Sequence, residues 1–331
     1  MAVLALVFGF AGILAGAFLF TNAVEWAGSR MGLGVGAVGT LLAGVSTAVP
    51  ESAIPVLAIV RGDPEADELA VGAIIGAPFM LATVAMALVG LTALGYAKRR
   101  EHGRSLDVHR PTLRRDLLFF LAAFTAAVAL GFGISAVLSV VAALLFVIAY
   151  GGYVAVTVRR GGQTQPEHEL DPLIADTTKK DPPANWMITL QFLVGLGLIL
   201  GGAHLVVEQL LAIAELLDVS PLVLALLIAP LATELPEKAN SFLWVRDGKD
   251  ALALGNLTGA MVFQSTIPVA VGVAFTSWQL DGFAVLAGVI AIAGGLVAYW
   301  SLERRRRFAG VAIVAWSGLF ATFAASVVLL G

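Results

Sequence analysis

The sequence contains no cysteine and only four histidines, and these scarcities exclude several kinds of site. Without cysteine there is no disulfide framework, thiolate zinc site, iron–sulfur cluster or cysteine nucleophile. The histidines are scattered and lack the spacing of the zinc-binding motif HExxH. No nucleophile–base pair stands out in the apolar segments. We therefore expect a protein that is not an enzyme and that holds no cofactor.

Charged residues are also scarce, at 13% of the 331 residues, against about 25% in ordinary soluble domains. Hydrophobic residues make up 59%, and the mean hydropathy is +0.92. This composition excludes a soluble enzyme, a nucleic-acid-binding domain and a disordered chain. A membrane span needs ~20 apolar residues, so the apolar total corresponds to on the order of ten spans. No basic region precedes the first apolar run, which favours a first span over a cleaved signal.

The apolar residues fall into ten stretches separated by charged or turn residues. They cover 2–29, 32–60, 68–96, 115–132, 134–158, 185–216, 219–245, 250–276, 280–301 and 308–330. The one long polar stretch, 159–184, is predicted to be a solvated linker. It divides the chain into a first five-helix half, 1–158, and a second, 185–331.

The basic residues predict the orientation of these spans. Of the 20 lysines and arginines, 18 fall in odd-numbered loops; the exceptions are Arg61 in an even-numbered loop and Lys238 inside a span. Basic residues concentrate in cytoplasmic loops. We therefore expect a multi-pass cell-membrane protein with both termini outside and the linker in the cytoplasm. With five spans in each half, the second half enters the membrane inverted relative to the first, as in many secondary transporters.

Two short segments repeat across the halves. AGVSTAVPESA (43–53) matches APLATELPEKA (229–239) at an offset of 186, and VGAIIGAPF (71–79) matches LGNLTGAMV (254–262) at an offset of 183. The first match pairs Thr47 with Thr233, Pro50 with Pro236, and Glu51 with Glu237. The fold class predicted is therefore all-α integral membrane, with ten transmembrane helices in two inverted five-helix repeats.

The repeated motifs place carboxylates inside the membrane, where each costs about 2.5–3.5 kcal/mol. Proline lacks an N–H and clashes with the preceding turn, so we expect helices 2 and 7 to be broken or kinked and their carbonyls freed. Carboxylate, hydroxyl and carbonyl oxygens on both helices would form a cage of the kind that calcium and sodium favour. The alternative is a pair of structural kinks with protonated glutamates. The predicted cation ligands are Glu51, Glu237, Thr47, Thr233, Glu234 and Gln264, with Pro50, Pro236, Lys238 and Asn256 in support.

Lys238 allows three interpretations. It follows Glu234 by four residues, an order that favours an ion pair. It could also titrate during transport, since buried lysines shift their pKa readily, or extend to the membrane interface. Three glutamates and one lysine give a local charge of −2, which one divalent or two monovalent cations would neutralise.

Other intramembrane features have structural interpretations. Small residues four apart allow close helix packing, and this is predicted for Gly72 and Gly76 and for Gly255 and Gly259. Spans 1 and 6 carry Asn22, Glu25, His204 and Glu208, which indicate faces that contact water.

These motifs resemble those of the calcium/cation antiporter superfamily, and in particular the prokaryotic sodium/calcium exchangers. That family carries two Gly-Thr-Ser-Leu-Pro-Glu motifs, each followed by a Gly-Asn-x-x-Gly-Ser-Asn-type segment. The corresponding segments are STAVPE (46–51), ATELPE (232–237), VGAIIGAP (71–78) and LGNLTGAM (254–261). The resemblance implies that Glu51 and Glu237 bind calcium, with Thr47 and Thr233 as further ligands. Departures from the family pattern stand at Ala48, Ala77, Leu81, Glu234, Ala260 and Gln264.

The resemblance implies a secondary active cation antiporter that works by alternating access, with spans 1 and 6 sliding against the rest. Sodium/calcium exchange is the first expectation. Because several polar positions of the family are apolar here, a proton-coupled antiporter for a divalent or monovalent cation is the alternative. A non-transporting cation sensor or scaffold is a second alternative. The expected partners are inorganic cations and the lipid bilayer, with no nucleic acid and no obligatory protein partner.

Overall fold

The structure, a computed structural model, describes residues 2–30, 43–108, 110–161, 171–176, 183–305 and 310–330. Within these ranges every regular element is helical. The α-helices are α1 (Ala2–Arg30), α2 (Ala43–Arg61), α3 (Pro64–Met80), α4 (Met86–Gly95), α5 (Arg110–Leu130), α6 (Ala136–Gly161), α7 (Asn185–Leu217), α8 (Pro221–Arg246), α9 (Asp250–Gln264), α10 (Ile267–Phe275), α11 (Gly282–Arg305) and α12 (Gly310–Leu330). A π-helix, Leu81–Ala85, joins α3 to α4.

Seven helical segments of the described chain are long and apolar enough to cross a membrane. They are Ala2–Arg30, Pro64–Gly95, Ala136–Thr157, Asn185–Leu217, Asp250–Phe275, Gly282–Leu302 and Gly310–Leu330. Helix α5 falls short because Arg114, Arg115 and Asp116 stand near its start and leave too short an apolar run. The fold is therefore that of a multi-pass membrane protein.

The expected breaks in helices 2 and 7 are not present as helix ends. Helix α2 continues through Pro50 and Pro55, and α8 continues through Pro236. A proline removes one i−4 hydrogen bond and bends a helix, but the turns on both sides can continue when neighbouring helices enclose the site. The prediction of helix breaks at these prolines was wrong.

In each half, the helix that follows the proline-containing helix is the one that is interrupted. The π-helix begins at Leu81, and α9 ends at Gln264, which is the same position at the 183-residue offset of the repeat. At both interruptions a threonine hydroxyl donates back one turn: Thr83 to the carbonyl of Phe79 (2.6 Å) and Thr266 to that of Val262 (2.8 Å). A threonine that bonds the i−4 carbonyl commonly bends a helix.

A tight connection after α8 places the start of α9. Gly248 has a φ of +79°, a conformation that glycine adopts without strain. Its amide donates to the carbonyl of Val245 (3.2 Å), and the amide of Lys249 donates to that of Trp244 (2.7 Å). This pair of bonds is the Schellman motif that closes a helix C-terminus. The chain then turns directly into Asp250, the first residue of α9.

Glycines bring α1 and α7 into backbone contact. A Cβ on Gly16 would lie 2.7 Å from the carbonyl oxygen of Gly195, and one on Gly202 would lie 2.5 Å from that of Gly9. Residue numbers rise along one helix as they fall along the other, so the two helices run antiparallel. Small residues permit such approaches between membrane helices. Helices α1 and α7 therefore form a tightly packed pair.

The predicted packing glycines divide into two sets. A Cβ on Gly72 would lie 2.4 Å from the carbonyl oxygen of Leu222, so α3 packs on α8 at this point. Gly76 makes the matching contact one turn later, with Leu226. Gly255 and Gly259 have no such neighbour within 4 Å among the described residues. Their partners at the repeat offset would lie at 36–40, outside the described ranges.

Part of the predicted solvated linker is packed. Residues 171–176, here called the linker peptide, lie at the end of α1 and the start of α7. Leu173 is 3% exposed and packs with Ala23, Trp26 and Ile188. The indole Nε1 of Trp26 donates to the carbonyl of Asp171 (3.0 Å). The expectation of a solvated stretch is wrong at Leu173 and Asp176, which are buried, whereas the other four residues of the linker peptide are exposed.

Asn22 and Gln191 hold the backbone of the linker peptide. The amides of Ile174 and Ala175 donate to Asn22 Oδ1 (3.1 Å) and Gln191 Oε1 (2.7 Å). The two side chains also bond each other, from Gln191 Nε2 to Asn22 Oδ1 (2.8 Å). Buried amides require partners, and the peptide backbone supplies them. Asn22 is 7% exposed and does not lie on the water-contacting face expected for span 1.

Candidate functional site

Three of the predicted ligands meet between α2, α8 and α9. Gln264 Nε2 donates to Glu51 Oε2 (2.5 Å) and to Glu234 Oε1 (2.9 Å). The two carboxylate oxygens therefore lie at most 5.4 Å apart, the sum of these distances. Gln264 and Glu234 are 1% and 3% exposed, and Glu51 is half-buried. The site joins a carboxylate from the first half of the chain to a carboxylate and an amide from the second.

Gln264 bridges the two carboxylates and has an oxygen to spare. The amide group of Gln264 supplies both donors, and an amide carries no net charge. Its Oε1 is buried and accepts no hydrogen bond from the described residues. Two carboxylates this close repel each other strongly when both are ionised. A cation or a proton between them relieves that repulsion.

Two prolines affect the backbone oxygens of the same residues. In a helix, the carbonyl of Glu51 would accept from the amide of residue 55, and that of Gln264 from the amide of residue 268. Both positions are proline and have no N–H to donate. Proline thus removes the regular partner of the main-chain oxygen at two of the three site residues. The sequence analysis predicted freed carbonyls at Pro50 and Pro236 and did not consider Pro55 and Pro268.

The other predicted site residues are placed as follows. Thr233 is 8% exposed, and its hydroxyl donates to the carbonyl of Ala229 (3.1 Å) within α8. Pro50 is buried in α2, and Asn256 is half-buried on α9. The side chains of Thr47, Pro236, Glu237 and Lys238 lie outside the described part of the structure. The meeting of Glu51 with Glu237, and the role of Lys238, therefore stay predictions.

The two halves are unequal at the site. Leu81 stands where Gln264 stands in the second half, and it is fully buried in the main apolar core. Within the described residues, no group of three histidine, aspartate or glutamate side chains gathers as a metal site. The site defined by these residues is therefore one carboxylate pair and one amide.

A buried network missed by the sequence reasoning joins α5, α6 and α9. Asp116 is 2% exposed and accepts from the Tyr153 hydroxyl (2.7 Å) and the Thr258 hydroxyl (3.0 Å). Arg115 donates to the same carboxylate (3.1 Å) and lies over the Tyr153 ring, 4.9 Å from its centroid. Thr258 precedes Gln264 by six residues, or about 9 Å along α9. In the sequence, Asp116 follows two arginines and is indistinguishable from an interfacial charge.

A second missed feature is the ion pair between Arg100 and Asp250, whose side chains are fully buried. The Arg100 guanidinium lies 2.5 Å from both carboxylate oxygens and also donates to the carbonyls of Gly103 (2.8 Å) and Ser105 (3.2 Å). The amide of Asp107 donates to Asp250 (2.8 Å). These bonds attach the loop after α4 to the start of α9. The partners are 150 residues apart in sequence, Arg100 in a charge-rich loop and Asp250 at a helix start.

At the opposite end of the helices, Arg61 links α2 to α7. It forms ion pairs with Asp63 (2.5 Å) and with Glu208. Asp63 caps α3 by accepting from the amide of Ala66 (2.9 Å). That backbone bond, followed by the bond from Arg61, lowers the pKa of Asp63 below its ordinary value. Glu208, expected on a water-contacting face, has a partly exposed side chain (42%) that pairs with Arg61.

Comparison with known proteins shows to which family this chain belongs. The family model described as sodium/calcium exchanger protein matches residues 1–159 and 187–330. The chain belongs to the sodium/calcium exchanger family. It is thus a member of the calcium/cation antiporter superfamily, a group of membrane transporters, and the resemblance of its motifs is confirmed.

Two curated relatives agree with this assignment. The family member is 30% identical over 142 residues to the putative antiporter CaxA of Alkalimonas amylolytica, which covers 42% of this chain and 44% of CaxA. It is 25% identical over 258 residues to the inner membrane protein YrbG of Escherichia coli strain K12, which covers 75% of this chain and 71% of YrbG. The match to CaxA thus spans less than half of that relative.

Solved structures show the same fold. A crystal structure of the H⁺/Ca²⁺ exchanger CAX superimposes with a TM-score of 0.73 at 21% identity, over 100% of this chain and 82% of that one. The sodium–calcium exchanger NCX_Mj superimposes with a TM-score of 0.59 at 20% identity, over 98% and 99%. At these identities the likeness concerns the fold.

Proposed function

We propose that this family member is a calcium-class cation antiporter whose transport site is built on Glu51, Glu234 and Gln264. The observation that carries the proposal is the convergence of these residues from α2, α8 and α9. A buried and a half-buried carboxylate, with a spare amide oxygen, are the hard, anionic ligands that calcium binds. Glu237, Thr47 and Thr233 complete the proposed ligand set, with Lys238 and Asn256 nearby in sequence.

The proposed topology has ten crossings in two inverted halves, with both termini outside and the linker in the cytoplasm. The distribution of basic residues supports it, as do the helix interruptions at Leu81 and Gln264, which match at the repeat offset. The inverted halves place related helices on either side of one site. Alternating access then consists of opening that site to one side at a time.

Exchange follows from electrostatics. An empty site would carry the charge of its carboxylates into an apolar environment, which is costly. The site therefore changes sides when a cation or protons occupy it. The paired α1 and α7 would slide against the remaining helices and alternately cover each entrance.

Sodium is the first coupling ion expected from the family. Proton coupling is the second candidate, and Leu81 is the observation that favours it. At the position that matches Gln264, the first half offers an apolar side chain, so it cannot supply a second amide oxygen for sodium. A pair of carboxylates can carry protons without further ligands.

Uptake of radiolabelled calcium into proteoliposomes tests the proposal. Vesicles receive either an outward sodium gradient or an outward proton gradient. Glu51→Gln, Glu234→Gln and Glu237→Gln are each expected to abolish uptake. The matched control is Glu215→Gln, because Glu215 is exposed at the end of α7 and should leave uptake unchanged.

The outcomes separate the candidates. Uptake driven only by sodium supports a sodium-coupled exchanger, and uptake driven only by the proton gradient supports proton coupling. Uptake under neither gradient, while calcium still binds, supports a sensor or scaffold. Wild-type uptake in Glu51→Gln or Glu234→Gln would show that the carboxylate pair is not the transport site.

A further inference from the structure

We propose that Thr258 and Asp116 are positioning residues for the amide of Gln264. This inference rests on the proposed transport site and adds to it two residues that bind no cation themselves. Thr258 and Asp116 are 0% and 2% exposed, so the contact between them is shielded from water. Thr258 Oγ1 lies 3.0 Å from Asp116 Oδ2 and 2.9 Å from the carbonyl oxygen of Leu254, and its one proton can serve either acceptor. The bond to Asp116 joins α9, which carries Gln264, to α5 in the first half of the chain.

Asp116 is itself held by a second helix of the first half. The hydroxyl of Tyr153 on α6 donates to Asp116 Oδ1 (2.7 Å), and Arg115 donates to the same oxygen (3.1 Å). The other carboxylate oxygen, Oδ2, accepts from Thr258. Hydrogen bonds to a carboxylate are about twice as strong as those between neutral groups. Thr258 therefore meets an acceptor that is both strong and fixed in place.

Helix α6 also supports the end of α9 directly. The ring of Tyr150 meets the ring of Phe263 edge-on, with the centroids 5.6 Å apart. Phe263 directly precedes Gln264, and Tyr150 lies three residues before the tyrosine that holds Asp116. Helix α9 is thus supported by α6 both beside the site and, through Asp116, nearly two turns away from it.

The contact at Thr258 fixes the rotation of α9 about its axis. Thr258 and Gln264 are six residues apart, which places them about 120° apart around the helix. Thr258 faces α5, whereas Gln264 faces the carboxylates of α2 and α8. A rotation of about 10° would move an atom at the helix surface, about 6 Å from the axis, by about 1 Å. Gln264 Nε2 lies 2.5 and 2.9 Å from its two acceptors, so a shift of that size is large enough to break either bond.

The two halves differ at Thr258 in the same way as they differ at Gln264. At the 183-residue offset of the repeat, Ile75 stands where Thr258 stands, and Leu81 stands where Gln264 stands. Both of these first-half residues are apolar and fully buried. The first half therefore has neither the amide nor the hydroxyl at these positions, and the second half has both. This is the distribution expected if the hydroxyl serves the amide.

Calcium binding to the purified full-length protein in detergent, measured by isothermal titration calorimetry, tests the inference. Thr258→Val removes the hydroxyl and keeps the shape of the side chain. We expect it to weaken calcium binding about tenfold, roughly the effect of losing one hydrogen bond to a charged group. Thr258→Ser keeps the hydroxyl and should restore most of the affinity. Tyr153→Phe loosens Asp116 and should fall between the wild type and Thr258→Val. The control is Thr92→Val, which removes a hydroxyl that donates to Leu88 within α4 and should bind calcium as the wild type does.

A second background separates positioning from a general loss of structure. If Thr258 acts through Gln264, Thr258→Val should no longer change the calcium affinity once Gln264→Ala is also present. The same comparison with Tyr153→Phe decides the question if Thr258→Val does not fold. An equal effect in both backgrounds, or unchanged affinity in Thr258→Val, overturns the inference while leaving the transport site in place. Unchanged calcium binding in both Glu51→Gln and Glu234→Gln is a different result, which refutes the proposed site and the inference with it.

Discussion

Removing Asp250 should destabilise the protein more than removing the whole ion pair. In Asp250→Leu, the guanidinium of Arg100 stays buried without its carboxylate, since neither side chain is exposed to solvent. Breaking a buried pair by removing one partner costs about 3–5 kcal/mol, whereas apolar replacement of both partners is often close to neutral. In this pair the amide of Asp107 also loses its acceptor, at about 1–3 kcal/mol.

The double variant Arg100→Met/Asp250→Leu provides the decisive comparison. It leaves the carbonyls of Gly103 and Ser105 and the amide of Asp107 without their side-chain partners, so it is not free of cost. It leaves no buried charge, however. We expect the double variant to be at least about 2 kcal/mol more stable than Asp250→Leu, a factor of roughly thirty in the unfolding equilibrium.

Reversible unfolding in mixed detergent micelles measures Arg100→Met, Asp250→Leu and the double variant against the wild type. A double-mutant cycle then gives the coupling energy directly. If the two single losses simply add in the double variant, the pair is not coupled and the reasoning from burial is refuted. Asp247→Asn, which removes an exposed carboxylate paired with Arg246, serves as the control and should change the stability little.

Three further perturbations follow from the packing and the loops. Gly72→Ala must move its Cβ about 1 Å away from the backbone of α8 and should cost about 1–3 kcal/mol of unfolding free energy, whereas Gly151→Ala, with no described neighbour within 4 Å, should not destabilise. Asn22→Leu should release the linker peptide, seen as faster amide exchange at that peptide alone; unchanged exchange would contradict the hydrogen bonds described. Asp63→Asn should be less stable than the wild type near neutral pH. Because folding lowers the pKa of Asp63, the difference in stability between the two proteins should reach its full size above about pH 4. It should disappear as the pH falls through the lowered pKa. A difference that persists at lower pH would exclude the charge of Asp63 as its origin.

Part of the candidate site could be predicted from the sequence because intramembrane carboxylates are costly and therefore informative. Glu51 and Glu234 interrupt apolar runs, and Gln264 is a polar residue on the span after the second motif, so all three were among the predicted ligands. Which glutamate lies near Glu51 was harder to predict from the sequence. The sequence suggested that Glu51 meets Glu237, whereas the described contact runs through Gln264 to Glu234.

The missed features share one physical cause. Asp116, Arg100 and Asp250 stand at the edges of apolar segments, where a charge is normally solvated. Their burial depends on loops and helices far away in the chain, and no local pattern records such contacts. The position of the helix interruptions was also missed, because proline is the obvious local signal. The actual interruptions lie at Leu81 and Gln264, one span later.

The binding of the linker peptide to α1 has a consequence for the assembly of the two halves. Asn22 and Trp26, on α1, hold a peptide that is continuous with α7. Suppose that the chain is divided between 162 and 170 and expressed as two fragments. The second fragment then carries the linker peptide, and the first carries the α1 residues that bind it. We therefore expect the two fragments to associate when the chain is cut between 162 and 170. Association should be weaker when the cut lies at 177–182, because the linker peptide then belongs to the same fragment as α1 and no longer joins the two.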